Sequence, residues 1–147
     1  MTAKLPPLAT LVPHGPSSLL LDELLHLDAE RAVAGVRITE RSPFLENGAV
    51  PAIVSLEYMA QAVAAFCGAQ RADEGQQVQH GFLLGCRQLT LEVDAFAPGD
   101  VLRVEVRRSW TSDTVGQFDC EVVRAGQRVA HGALNVYQGP LPETGSP

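Results

Sequence analysis

Residues 50–70, VPAIVSLEYMAQAVAAFCGAQ, form an almost wholly apolar run with one carboxylate, Glu57, in its middle. Between Glu46 and Arg71 no other residue carries a charge. Ala, Leu, Met and Gln are strong helix formers, Pro51 is tolerated in a first turn, and no Gly interrupts before Gly68. The pattern predicts a helix over 51–70, about 25–30 Å long at roughly 1.5 Å per residue. Such a helix is apolar nearly all round, so it belongs at the centre of a fold rather than on a surface. Glu57 and Gln61 interrupt it, and its flanks are not those of a membrane span.

The rest of the chain has to supply the wrapping. In DVLRVEVRR, Leu102, Val104 and Val106 alternate with Arg103, Glu105 and Arg107. QFDCEVV repeats this with Phe118, Cys120 and Val122 against Asp119 and Glu121. Period-two alternation marks half-buried strands. RAGQ at 124–127 reads as a hairpin turn, RVAHGALNVYQ as the returning strand, and FAPGD at 96–100 as a further turn. Near the N-terminus, Val33, Gly35 and Arg37 alternate with Ala34, Val36 and Ile38, again a strand, whereas SSLLLDELLHL fits helix or strand equally well. RSPFLENGAVP, with two prolines and Asn47-Gly48, is a loop. Strands segregated around one helix predict an antiparallel α+β fold.

The bulk properties narrow the function. A chain of 147 residues is one domain's worth, with a net charge of −6 that argues against a nucleic-acid surface. The three cysteines have no CxxC spacing, which fits reduced thiols in a cytoplasmic protein. The first residues, MTAKLPPLATLVP, hold no apolar signal core. LPETG near the end lacks the apolar and basic segments of a sorting signal, so 139–147 reads as a flexible tail. No His or Cys pair has metal-ligand spacing, and no GxSxG or phosphate loop occurs; no metal and no cofactor are expected.

LEYMAQAVAAF resembles the helix of the 3-hydroxyacyl-carrier-protein dehydratases, with its Glu ahead of a Met-Ala-Gln run. LVPHGPSSLLLDELL is similar to their N-terminal Pro-His…Leu-Leu-Asp segment. GFLLGCRQLTLEVDAFAPGDVLRVEV is similar to their later strands, including the Pro-Gly-Asp turn. The resemblance covers roughly residues 11–137 and is closest to the dehydratase-like proteins of aryl-polyene gene clusters. It implies a hotdog fold, a curled antiparallel sheet wrapped around one long helix, as a single domain over 1–138. It also implies paired subunits, homodimer or hetero-oligomer, acting on an acyl thioester of acyl carrier protein or coenzyme A.

In the resembled enzymes the helix Glu works with a His to remove a proton beside the thioester carbonyl and release the 3-hydroxyl as water. Backbone N–H groups at the helix N-terminus face the thioester oxygen; here that corner is Pro51 and Ala52, with Ile53 behind. The family's His lies fourteen residues before the Glu, where this chain has Pro43. His14, in VPHGP, is the candidate substitute; His26 and His131 read as structural or surface residues. His80 and Phe82 stand at a strand start that borders the substrate tunnel in hotdog proteins. Gln61, one turn after Glu57, can bond Glu57 or a substrate carbonyl. Cys67, Phe96 and Trp110 read as packing residues.

On a helical wheel Glu57 falls among Ile53, Ala60 and Ala64. The carboxylate therefore either reaches solvent at a helix edge or is held in an apolar pocket, where it becomes a usable proton carrier near neutral pH. Three functions follow: a dehydratase using Glu57 with His14, a thioesterase in which Glu57 activates water, and a non-catalytic hotdog partner subunit.

Overall fold

The computed structural model describes residues 5–12, 18–75 and 82–137. The tail expected at 139–147 lies outside them, as do His14 and His80. The elements run β1 (Glu23–Leu27), β2 (Arg31–Arg37), β3 (Val50–Pro51), α1 (Ser55–Asp73), β4 (Phe82–Leu91), β5 (Ala95–Phe96), β6 (Val101–Thr111), β7 (Val115–Arg124) and β8 (Gln127–Tyr137). A six-stranded sheet has the order β1-β2-β6-β7-β8-β4, with every neighbouring pair antiparallel. β3 and β5 pair separately, Val50 opposite Phe96. The sheet curls around α1, which packs on β2, β6 and β7. This is the α+β hotdog architecture that the sequence pattern and the resemblance imply.

The alternating segments fold as read. Leu102, Val104, Val106, Phe118, Cys120 and Val122 face inward and are buried. Ala125 and Gly126, at φ 51° and 78°, form the two-residue loop between β7 and β8; positive φ at both positions is what a tight hairpin needs. The undecided N-terminal segment supplies a strand, β1. The helix begins later and ends later than 51–70: Ala52–Val54 form a 3-10 turn, and α1 runs on through Gly68 to Asp73. Trp110 departs from expectation at 55 % exposed. The register of β6 on β7 shifts between Arg108 and Trp110, near the strand's end, and the indole lies beyond the core.

Ala52–Asp73 is long and apolar enough to cross a membrane by length and composition, yet 61 % of its most apolar stretch is buried inside this fold. Phe66 meets Phe118 edge to face at 5.5 Å between ring centroids. Arg108 sits 5.4 Å over the Phe66 ring and donates to Gln70 Oε1 at 2.7 Å. These contacts pin the C-terminal half of the helix to the sheet.

The N-terminal segment covers a second side of α1. Leu8, Leu11 and Val12 are buried, and the Leu11 carbonyl lies so close to Gly68 that a Cβ there would overlap its oxygen. Gly in mid-helix costs about 1 kcal/mol relative to Ala; here it permits the close approach. Gly68→Ala is therefore expected to destabilise the fold by about 2 kcal/mol despite its better helix propensity, because the strap has to lift. Urea unfolding checks this, and a variant as stable as the parent would place the strap elsewhere. Ser55, at the start of α1, is wholly buried, and its hydroxyl meets no hydrogen-bond partner among the described residues. Ser55→Ala is expected to leave stability unchanged or raise it by up to about 1 kcal/mol, since an unpaired buried hydroxyl is unfavourable; a clear loss in the same assay would mean that the hydroxyl has a partner.

Candidate active site

Glu57 occupies the first turn of α1 and lines a cleft of about 420 Å³ with Ser18, Leu20, Pro43, Phe44, Ile53 and Val54. The walls are apolar, and Glu57 is the only charged group among these residues. Of the two readings left open, a carboxylate at a helix edge or one held in an apolar pocket, this chain shows the first, with Glu57 exposed on the rim of an apolar cleft. The wheel placed it correctly beside Ile53, Ala60 and Ala64. That sector of the helix is simply the one the sheet leaves open, and Ile53 is itself 53 % exposed.

Gln61 is buried one turn below Glu57, and its carboxamide is committed on both sides. Oε1 accepts from the Leu20 N–H at 2.7 Å. Nε2 donates to the Ser18 carbonyl at 2.9 Å and to Glu57 Oε1 at 3.3 Å. The neighbours fix the amide's orientation, because an N–H needs an acceptor and a carbonyl needs a donor. Gln61 thus orients Glu57 and ties the cleft wall at Ser18–Leu20 to the helix. Both amide N–H donors and one lone pair of Oε1 are thus engaged within the protein.

The helix corner also differs from expectation. Pro51 has no N–H, and Ala52 is buried with its N–H bound to the Asp94 carbonyl at 2.9 Å. Ala52 is therefore a structural anchor of the β3–β5 corner rather than a donor to substrate. The next N–H group, of Ile53, precedes the first i→i−3 bond of the 3-10 turn and so has no acceptor within the helix, and Ile53 lines the cleft.

Pro43, in the position where the resembled enzymes carry their His, opens onto the same cleft as Glu57. The neighbouring loop is built from two turns: Leu45 N–H bonds the Ser42 carbonyl at 3.3 Å, and Glu46 and Ala49 exchange backbone bonds around Asn47-Gly48. The other sequence candidates fall elsewhere. Phe82 opens β4 opposite Tyr137, at the far side of the sheet. His26 bonds Asp28 at 2.7 Å in the β1–β2 turn, and this bond, with the Glu30 N–H, holds the Asp28 carboxyl down to about 2. His131 is half-buried, 3.6 Å from Glu92. Cys67 is half-buried, and burial pushes its thiol up to about 12, far from a thiolate nucleophile. Sequence reasoning missed Phe44 as a wall of the cleft, although it directly follows Pro43, the position of the resembled family's His.

A curled antiparallel sheet around one long helix, with a carboxylate in the helix's first turn, is the architecture of a hotdog protein. The chain belongs to the ApeP-like family, described as ApeP dehydratase, whose model matches residues 6–145. It is 26 % identical over 151 residues to the 3-hydroxyacyl-[acyl-carrier-protein] dehydratase FabZ of Agrobacterium fabrum, covering 94 % of this chain and 93 % of the relative. Among solved structures it is 27 % identical, at a TM-score of 0.88, to a chain of the dehydratase heterocomplex ApeI:P from Xenorhabdus doucetiae, covering 96 % of this chain and 94 % of that one. A hypothetical thioesterase from Streptococcus pneumoniae solved with coenzyme A shares the fold, at 14 % identity and a TM-score of 0.64 over 80 % of this chain and 85 % of that one.

The Gln61 bonds predict a pH signature. Gln61→Glu keeps an acceptor for the Leu20 N–H but faces Ser18 O and Glu57 with a second carboxyl. Only its protonated form can donate. The introduced carboxyl is thus raised in the folded state, and its contribution is present at low pH and lost as pH rises through the carboxylate range. Chemical unfolding near pH 4.5 and 7.5 should show the variant falling further below the parent, by about 1–3 kcal/mol, at the higher pH. An equal deficit at both would contradict the assigned bonds.

Proposed function

We propose that the chain is a subunit of a dehydratase acting on 3-hydroxyacyl thioesters of acyl carrier protein, with Glu57 as one acid/base group and His14 as its imidazole partner. The observation that carries this reading is the position of Glu57: one carboxylate on an apolar cleft, close in sequence to Ile53, whose N–H precedes the first bond of the helix. One member of the pair takes the proton from the carbon next to the thioester carbonyl. The other passes a proton to the 3-hydroxyl, which leaves as water, and a 2-enoyl thioester remains. The Ile53 N–H stabilises the carbonyl oxygen while it carries negative charge.

His14 is supported by its neighbours in the chain. It lies two residues after Val12 and four before Ser18, which lines the cleft and is bonded to Gln61. The carrier protein is supported by the FabZ relatives, and a second, non-identical hotdog subunit by the heterocomplex of the similar structure. β4, at the edge of the sheet, carries exposed Leu83 and Leu84, the kind of surface that a second sheet covers. Cys67, Cys86 and Cys120 form no disulfide, which suits a reducing cytoplasm.

Glu57→Gln keeps the shape and removes the proton. Turnover of a 3-hydroxyacyl thioester is expected to fall at least about a hundredfold with no loss of stability. His14→Ala should match that loss. A harmless His14→Ala together with a disabling Glu57→Gln would assign the imidazole to a co-purifying subunit. An assembled protein without activity on any acyl thioester, with stability rising on Glu57→Gln, would leave the non-catalytic partner reading.

A further inference from the structure

Asn47 and Gly48 hold the two left-handed positions of a tight turn, at φ 52° and 81°. Asn-Gly is a pair that such a turn favours, because both residues tolerate positive φ. The turn is closed by the Glu46 N–H on the Ala49 carbonyl at 2.7 Å and by the Ala49 N–H on the Glu46 carbonyl at 3.1 Å. Neither bond uses the Gly48 nitrogen. Glu46 and Ala49 form an isolated bridge that belongs to neither sheet, so the turn opens without breaking a strand pairing. Asn47 and Gly48 are exposed, and a Cβ built on Gly48 would meet no atom within 4 Å. The chain's other asparagine, Asn135, is placed differently. It lies within β8, paired with Gln117 on one side and Gly85 on the other, and the branched, buried Val136 follows it.

We infer that Asn47 is a site of spontaneous covalent modification in which the turn's own backbone is the nucleophile. When the turn opens, the Gly48 nitrogen attacks the carboxamide carbon of Asn47. A bond forms between them, the carbon–nitrogen bond of the carboxamide breaks, and ammonia leaves with the Gly48 amide proton. A five-membered succinimide remains. Water adds to one of its two carbonyl carbons and opens the ring there. The product is an aspartyl residue or an isoaspartyl residue, in which the main chain runs through the former side-chain carbons. Glycine permits the attack because no side chain shields its nitrogen. Either product sets a new carboxylate beside Glu46. The isoaspartyl form also lengthens the backbone of a loop whose geometry is set for two residues, so the Glu46–Ala49 pair is lost. Val50, the next residue, is fully buried and pairs with Phe96, and the Ala52 N–H is bonded to the Asp94 carbonyl. The modification therefore loosens the corner from which α1 starts.

The test keeps the full chain in mildly alkaline and in mildly acidic buffer and follows Asn47 and Asn135 by peptide mapping. Labelling with an isoaspartyl methyltransferase separates the two products. Asn47 is expected to convert at least about tenfold faster than Asn135, because two backbone bonds hold the turn whereas Asn135 is held by the sheet. Conversion should be faster in the alkaline buffer, since the attacking nitrogen has to lose its proton, and both products should appear. Asn47→Gln should age without conversion, its longer side chain forming no five-membered ring. Freshly purified Asn47→Asp carries the new charge on an unaltered backbone, and the isoaspartyl chain is expected to melt below it. Equal rates at Asn47 and Asn135 overturn the inference. So does a purely aspartyl product, which marks direct hydrolysis without the ring. An isoaspartyl chain that melts with Asn47→Asp overturns the link from the turn to the helix corner.

Discussion

The Gln61 carboxamide is the joint on which the cleft depends. It bridges segments more than forty residues apart in sequence by presenting one acceptor and two donors in a single plane, to Leu20 N–H, Ser18 C=O and Glu57. No other side chain of similar size can do this: Glu has no donors when ionised, and Met has neither strong donors nor strong acceptors. Burial strengthens the arrangement and raises the cost of breaking it, because each backbone group left behind would be unpaired and dry. Gly68 performs the complementary task two turns further on. There it is the lack of a side chain that lets the Leu11 carbonyl lie on the helix. The N-terminal segment is thus held at two points along α1, by hydrogen bonds at one and by close packing at the other.

Much of this fold was legible in the sequence because its two periods are clean. Leu102, Val104 and Val106 can face one side only as a strand, and no surface helix tolerates VPAIVSLEYMAQAVAAF. The strand β1 was not legible, since the leucines of LLLDELLHL satisfy both spacings and only pairing with β2 decides. Contacts distant in sequence were equally hidden. Gln61 reads as a polar residue one turn from a carboxylate, and nothing local says that Ser18 and Leu20 will meet it. Ala52 reads as a helix-start donor until Asp94 arrives to take its N–H. Phe44 defeats local reading for a different reason: Pro43 signals a turn, but residue preference at the next position points away from an aromatic.

The exposure of Glu57 shows what a helical wheel can and cannot say. The wheel identifies the neighbours on the helix, and they are the apolar ones foreseen. It does not say which sector the sheet will cover. In this chain α1 is packed by β2, β6 and β7 on one side and by the N-terminal segment on another, and the sector of Ile53, Glu57, Ala60 and Ala64 is left over.

That leftover sector reconciles an apolar setting with a solvated carboxylate. Water in an open cleft screens Glu57, so in the proposed mechanism the single chain would carry its carboxylate without the medium that makes proton transfer effective. Excluding water strengthens every charge and dipole at the site, because the effective dielectric falls. In the proposed assembly two things do this together, an acyl chain along Phe44 and Ile53 and a second subunit beside the open sector. The exposed apolar walls are then what the cleft needs in order to become dry only when it is filled.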